Sequence, residues 1–445
     1  MAASLHRLYE PEAYGPEADR NNYWRTTVAE AAVAPELHEA ATCDVAIIGA
    51  GFTGLSAALH LAQAGLDVVA LDAEAPAWGA SGRNGGFACL GGAQASDKQI
   101  QRQYGANGLN EFKHAQRAAI DLVAELLESH RIDVDRHSDG EVIVAHRLRD
   151  VADLMSEGAH LAAIYGVSPK LIAKADMSDH GLVGEGFHGA LYVPIGFALN
   201  PRKYALGLAE AAKRAGARIF RQSPVVQISA DAVGYRLKTP FSEVRTRRLI
   251  VATNGYSSDN LPDWLGGRFL PVQSNIIVTR ELTEAEISEG WHSDLMAYDT
   301  RNMLHYFRLL PERRFLFGMR GGIRADAAAQ AEMQRAVRAD FEAMFPMWAH
   351  VETPHFWSGL ACLSRNLTPY AGPLGDMENA YTAMAYHGNG VAMASCSGKL
   401  LAGLITGHGP AVPSVMQGPM RRFPLPRWRR ALLRPAYEWY RLKDR

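Results

Sequence analysis

The stretch Val45-Ala46-Ile47-Ile48-Gly49-Ala50-Gly51-Phe52-Thr53-Gly54 decides how this chain folds. An apolar run without polar interruption reads as a parallel strand buried on both faces. It runs into glycines at the first, third and sixth positions of a turn. Leu55, Ala58, Leu59 and Ala62 then recur at helical spacing over residues 54–64. Gly65 closes that helix, and Val68-Val69-Ala70-Leu71 is a second buried strand. Together they form a βαβ unit. Gly49 permits the tight turn, Gly51 lets backbone approach a pyrophosphate, and Gly54 lets the helix sit close on the strand. The first helical turn, with Phe52 and Thr53, offers free N–H groups at the positive end of the helix dipole. Asp72 ends the second strand 23 residues after Gly49, with Ala73 behind it. A carboxylate there accepts both hydroxyls of a ribose.

A second glycine cluster, Gly79-Ala80-Ser81-Gly82-Arg83-Asn84-Gly85-Gly86, follows directly. Ser81, Arg83 and Asn84 offer a hydroxyl, a guanidinium and an amide, and a guanidinium suits a phosphate. Gly85 and Gly86 let the chain pass flat against a ring system, with Phe87 next. By contrast, Gly184-Glu185-Gly186-Phe187-His188-Gly189 has the same glycine spacing but follows no apolar strand, so it reads as a loop.

Working outward, residues 1–40 read as an irregular arm carrying Tyr23 and Trp24. Residues 105–130, 149–166 and 324–344 read as helices, and Glu141 to Ala145 as a strand. Pro201 to Gly216 reads as a helix capped by Asn200. Residues 217–252 read as short strands, the last ending Leu249-Ile250-Val251-Ala252. Residues 271–320 alternate apolar and polar, predicting an antiparallel sheet with one open face. Tyr381 to Gly407 reads as strand, glycine turn and a helix starting near Ser395. The 445 residues are 48 % hydrophobic and 21 % charged, which excludes extensive disorder. With 46 basic and 47 acidic residues, the net charge of -1 provides no field for nucleic acid. The four cysteines form no CxxC pair, and no His/Cys cluster or HExxH occurs, so neither a disulfide framework nor a metal site is expected. No stretch has the apolar length to span a bilayer, and the cytoplasm is the expected setting.

From Arg421 to Arg445, eight arginines and one lysine face Glu438 and Asp444, a net of +7. Aromatic and leucine side chains are interleaved with them. The segment reads either as an interfacial membrane anchor or as a tail packed back on the FAD-binding part, its arginines lying over acidic surface. Pro424, Pro426 and Pro435 interrupt an amphipathic face, so the packed-back reading is preferred and peripheral membrane contact is not favoured.

These motifs resemble the D-amino-acid-oxidase-like flavoproteins. The Ser81-Gly82-Arg83-Asn84-Gly85-Gly86 form is similar to bacterial gamma-glutamylputrescine oxidases and their amine-oxidase relatives. The likeness continues at Gly196-Phe197-Ala198-Leu199-Asn200-Pro201, at Ala252-Thr253-Asn254-Gly255 and at Tyr386-His387-Gly388-Asn389-Gly390-Val391. It implies FAD as cofactor and an α/β architecture. A Rossmann-like FAD-binding domain would be built from residues 41–100, 196–262 and 360–410. A substrate domain with a large mixed, mainly antiparallel sheet would take residues 101–195 and 263–359, leaving the arm and the tail at 411–445. The resemblance implies that Val226 meets the adenine through its backbone, and that Ala252, Thr253 and Asn254 end the strand nearest the cofactor. It also implies that His387, Gly388, Asn389, Gly390, Val391 and Ala392 bring a second helix N-terminus to the flavin. Those N–H groups would stabilise charge on the reduced ring. Cys89 and Cys362 are expected to be small buried hydrophobes.

On the substrate side the candidates are His305, Tyr306, Arg308, Trp357 and Tyr386, with Arg320 nearby. They would make an aromatic slot in which an arginine suits a carboxylate. Tyr306 and Trp357 read equally as core, and Arg308 as a surface residue of the sheet. The implied reaction is hydride transfer from the C–N carbon of a primary or secondary amine to the flavin. It gives an imine, then an aldehyde or keto acid, with oxygen reduced to hydrogen peroxide. The alternatives are a dehydrogenase passing electrons to a quinone or partner protein, and a non-catalytic FAD-binding subunit. Gly375-Asp376 is followed by Met377-Glu378-Asn379, not by the small residues and histidine of flavin monooxygenases.

Overall fold

The structure is a computed structural model that describes residues 5–29 and 34–445. Residues 1–4 and 30–33 of the expected arm lie outside the described residues.

The first strand, Ala41–Ile48, sits at the centre of a parallel sheet. It pairs with Val68–Leu71 on one side and Glu243–Val251 on the other. Arg218–Phe220 extends the sheet beyond Val68–Leu71, and Ala380–Met384 beyond Glu243–Val251, both parallel. Tyr370–Pro373 closes the edge antiparallel, and the ribbon Gln227–Ala230 and Tyr235–Lys238 folds off Glu243–Val251. The central strands are apolar on both faces because both are covered. Helices Phe52–Gln63, Pro201–Arg214 and Gly390–Thr406 share one hydrophobic core with them. A Cβ on Gly398 would meet Thr53 O at 2.5 Å, so the first and last of these helices touch backbone to backbone. The contact joins the first turn of one to the middle of the other.

The second sheet runs His355–Ser364, Phe269–Val278, Phe315–Arg320, His305–Leu309, Met296–Asp299, Glu141–Val144, Gly189–Val193, Lys170–Ala173. All its pairs are antiparallel except Met296–Asp299 with Glu141–Val144. One face packs Phe307, Phe315 and Phe317 on the helix Ala327–Met344. The opposite face carries Ile276, Leu316, Tyr306 and Trp357, which meet Tyr23 and Trp24 of the arm. The strand His355–Ser364 belongs wholly to this sheet and so crosses residue 360, where the sequence divided the two domains.

Several boundaries differ from the sequence reading. The long helix begins at Asp97 under a Ser96/Gln99 capping box and breaks at Gly105, where φ is 77°. The last core helix begins at Gly390, five residues before Ser395. Three short 3-10 turns lie in the described part of the arm, and Tyr23 and Trp24 are buried. The basic segment carries a genuine helix, Leu433–Lys443. Pro435 falls in its first turn, where the missing N–H would have had no partner anyway. This segment packs on the second sheet, not the first. Leu433 and Tyr437 join Leu270, Val272 and Met303 in one cluster. Arg429 donates to Phe269 O and pairs with Asp259, and Arg430 reaches Leu8 O and Glu10. Asp444 accepts N–H groups of Asn302 and Met303.

Candidate active site

A cavity of about 950 Å³ draws its walls from both sheets. At one end lie Gly49, Gly51, Phe52 and Thr53. Gly49 has φ +104°, and a Cβ there would sit 2.8 Å from Ala252 O. Gly54 does not reach the cavity: its missing Cβ would overlap Gly49 O at 1.9 Å, so it serves helix packing. Asp72 and Ala73 also line this end. Each Asp72 carboxylate oxygen accepts one backbone N–H, from Ala50 at 2.8 Å and Glu74 at 2.9 Å. Each oxygen keeps a lone pair for a ribose hydroxyl. Burial pushes this carboxyl above its ordinary pKa, and the two N–H groups work against that.

The glycine loop comes next. Ser81 Oγ accepts the Phe52 N–H at 2.9 Å, which leaves its own O–H to donate. Arg83 is buried with its guanidinium 3.9 Å above the Trp78 ring, and its Nη2 has no partner. Asn84 is not a free donor. Its Nδ2 bonds Ala80 O and Ser81 O at 3.0 Å, and its Oδ1 accepts the Gly86 N–H at 2.8 Å. It braces the loop from within. Gly85 lies flat on Tyr306, whose ring would be 2.9 Å from an added Cβ, and Phe87 meets the same ring edge-on at 5.9 Å. Gly86 faces away, its missing Cβ 1.9 Å from Leu199 O.

The loop is held from behind by residues to which the sequence reading gave no role at the site. Trp24 Nε1 donates to Asn84 O at 2.9 Å, and Asn22 Nδ2 to Gly82 O at 2.7 Å. Asp19, 1 % exposed, pairs with Arg83 at 3.5 Å and Arg202 at 3.2 Å.

Three of the substrate-side candidates stand outside the cavity. His305 turns to the helix side of its strand, between Asp299 at 2.8 Å and Asp340 at 3.1 Å. Burial alone would lower its pKa, but the two carboxylates outweigh burial and raise it to about 9. Arg308 is on the correct face but two residues too far along, beneath the glycine loop. It donates to Leu199 O at 2.8 Å and to His137 Nε2 at 2.9 Å. Burial lowers its pKa to about 9. Trp357 likewise lies under the loop, donating to Arg83 O at 2.9 Å beside Trp24. On the cofactor side Val226 is displaced too. Its N–H bonds Lys238 O at 2.8 Å, while Pro224 and Val225 line the wall. Ala392 is buried in its helix and does not line the cavity.

Tyr306, Tyr386 and Arg320 do line it, as do Ala252, Thr253, Asn254 and residues 387–391. Tyr306 Oη shares a hydrogen with Ser274 Oγ at 2.7 Å, and burial pushes its pKa to about 12. Tyr386 Oη is paired with Thr53 Oγ1 at 2.7 Å. His387 Nε2 accepts the Ser364 N–H at 3.2 Å, so a neutral ring carries its proton on Nδ1, which has no partner. Burial, then the nearby Arg320 charge, lower its pKa to about 3. Cys89 and Cys362 are free, buried thiols in the wall. Arg320 has no hydrogen bond or ion pair among the described residues, and Gln273 Oε1, 1 % exposed as a residue, has no donor. Tyr437 and Tyr440, one turn apart on the last helix, close the far wall. Their i, i+3 spacing was the available sequence signal for a shared face. Just behind the wall Glu141 touches Cys89, with Oε2 unpartnered, and burial raises its pKa to about 8.

This donor set fits FAD. It joins a carboxylate for ribose, the helix N-terminus at Phe52 and an unpaired Arg83 Nη2 for phosphate, a second helix N-terminus at Gly390, and a flat glycine loop beside an aromatic ring. Residues 44–404 match the DAO family, described as FAD dependent oxidoreductase. The chain is 32 % identical to a probable oxidoreductase OrdL of Haemophilus influenzae, over 86 % of this chain and 89 % of that protein. It is 29 % identical to the gamma-glutamylputrescine oxidoreductase of Escherichia coli, over 96 % of this chain and 98 % of that one. Glycine oxidase from Geobacillus kaustophilus has the same fold, with a TM-score of 0.70 at 20 % identity, covering 85 % of this chain and 99 % of that chain. A match that spans most of the chain, and a cavity furnished for the cofactor the match requires, lead to one conclusion: this chain belongs to the DAO family of FAD-dependent oxidoreductases.

Proposed function

We propose that the protein oxidises the C–N bond of a primary or secondary amine that also bears a carboxylate, gamma-glutamylputrescine-like or amino-acid-like. The product is an imine that water converts to an aldehyde or keto acid, with oxygen as the electron acceptor. The observation that carries this reading is Arg320, a guanidinium in the cavity wall without a partner of its own, set among Tyr306, Tyr437 and Tyr440. A guanidinium so placed matches a substrate carboxylate. The relatives named for gamma-glutamylputrescine and for glycine support the same class.

Bound FAD supplies a flavin that accepts the hydride. The chain's residues hold, orient and dry the site. Asp72, Ser81 and Arg83 would hold the ribose and phosphates, and the N–H groups opening Gly390–Thr406 would face the flavin. His387 stays neutral and offers Nδ1–H as a donor. Tyr306 and Tyr386 keep their protons and shape the slot. The apolar wall favours an unprotonated amine, because it penalises an unpaired ammonium.

Anaerobic mixing of the yellow protein with amines tests this reading. Carboxylate-bearing amines are expected to bleach the flavin, and alcohols or 2-hydroxy acids to leave it oxidised. Arg320→Met is expected to raise KM for those amines at least tenfold with FAD content unchanged, about the 1.5–3 kcal/mol of a hydrogen bond to a charged group. Bleaching by lactate or glycerol 3-phosphate, and by no amine, overturns it.

A further inference from the structure

The outer face of the C-terminal segment takes no part in the cavity. Helical turns from Pro426 onward lead into the helix Leu433–Lys443. Trp428, Leu432, Trp439 and Leu442 recur on one side of it at helical spacing. They are 67, 42, 57 and 61 % exposed, and Leu425 beside them 64 %. Single exposed leucines are ordinary, but a run of large apolar side chains on one short segment is not. Arg421, Arg422, Arg427, Arg434, Arg441 and Lys443 are exposed among them. The two acids offer little compensation, since Glu438 pairs with Arg441 at 3.0 Å and Asp444 is turned inward to Asn302. Pro435 does not interrupt this face, because it sits in the first turn, where a helix tolerates it.

We propose that residues 421–445 dock the protein peripherally on an anionic bilayer, with this helix lying in the interface. Tryptophan seats at the headgroup level, leucine enters the acyl boundary and arginine meets anionic headgroups. The charge selects the occupant. A second copy would set its own exposed Arg421, Arg422, Arg427, Arg434, Arg441 and Lys443 against these, whereas an anionic surface complements them. Docking is peripheral, since no described helix is long and apolar enough to cross a membrane. Tyr440 is 39 % exposed and also lines the cavity, so the docked face lies beside the cavity mouth.

Co-sedimentation of the FAD-loaded protein with vesicles tests the proposal. Binding is expected to phosphatidylcholine mixed with phosphatidylglycerol at low salt. It is expected to be lost on phosphatidylcholine alone and at high salt. The triple variant Arg427→Gln, Arg434→Gln, Arg441→Gln is expected to bind about a hundredfold more weakly, from about 1 kcal/mol per charge. The double variant Trp428→Ser, Trp439→Ser is expected to lose at least about tenfold. In both, FAD content, thermal stability and turnover in solution should match the parent. No co-sedimentation at low salt overturns the proposal. So does undiminished binding by both variants, which would put the membrane contact elsewhere. A dimer in solution that the Trp428→Ser, Trp439→Ser variant dissolves also overturns it, because a second copy would then cover this face.

Discussion

At Glu141 a single carboxyl is 3 % exposed and one of its oxygens has no partner. Burial raises its pKa from 4.5 to about 8. Below pH 4.5 the folded and unfolded chains both hold the proton. Between 4.5 and about 8 the unfolded chain ionises while the folded one does not, so stability falls across that window as pH rises. Glu141→Gln is expected to match the parent melting temperature near the lower limit and to exceed it increasingly toward the upper. An unchanged pH slope in the variant would exclude this carboxyl as the source. The same scale explains which site residues the sequence disclosed. Gly49, Gly51, Asp72 and Ser81 belong to one βαβ unit and the loop that follows it, where spacing carries the meaning. Strand alternation, which the candidate set did not apply, puts Tyr306, Arg308 and Trp357 on the cavity side of the second sheet and His305 on the helix side. It does not say how far along the strand a cavity extends, so Tyr306 lines the wall while Arg308 and Trp357 fall beneath the glycine loop.

The elements that support that loop act through two indole N–H groups. Trp24 holds Asn84 O and Trp357 holds Arg83 O. Replacing either with Phe keeps most of the ring volume but leaves a buried carbonyl without its donor, at about 1–3 kcal/mol. Trp24→Phe and Trp357→Phe are each expected to lower stability by that amount in urea and to weaken FAD retention on dilution. A variant that unfolds earlier but holds FAD as tightly as the parent would separate the support from cofactor binding. The arm's contribution was not legible because it depends on contacts about 60 residues away along the chain. Helix ends were misjudged for a different reason. Gly390 reads as a turn residue, yet it begins the helix, and Pro435 reads as a breaker, yet it stands in a first turn.

At the scale of the whole molecule, the C-terminal segment meets Leu8 and Glu10 of the arm. Arg430 bonds Leu8 O and Glu10, and Asp444 holds the loop at Asn302 and Met303. Burial of Leu433 alone stabilises by about 1.5–3 kcal/mol. Deleting residues 433–445 is therefore expected to lower Tm by several degrees, at about 2–4 °C per kcal/mol for chains of 150–250 residues and less for a longer one. It should also open the flavin to solvent, measured as faster quenching of flavin fluorescence by iodide. An unchanged Tm and quenching rate would make the helix an ornament of the fold. The fold class was legible because the parallel strands and their glycine turns are written locally, and the paired sheets follow from two different apolar periods. The cavity wall at Tyr437 and Tyr440 was not, because only the tertiary path brings that helix over the second sheet.

The wall of this cavity runs from Leu5 to Tyr440 in the order of the chain. During synthesis, the ribosome releases the glycine turn at Gly49 early, but the flavin-facing turn and the closing tyrosines emerge near the very end. A chain that has reached only Gly49 therefore lacks Ala252, against which that glycine packs, as well as the turn at 387–391 and the tyrosines at 437 and 440, so the walls of the cavity come together from widely separated stretches of the chain.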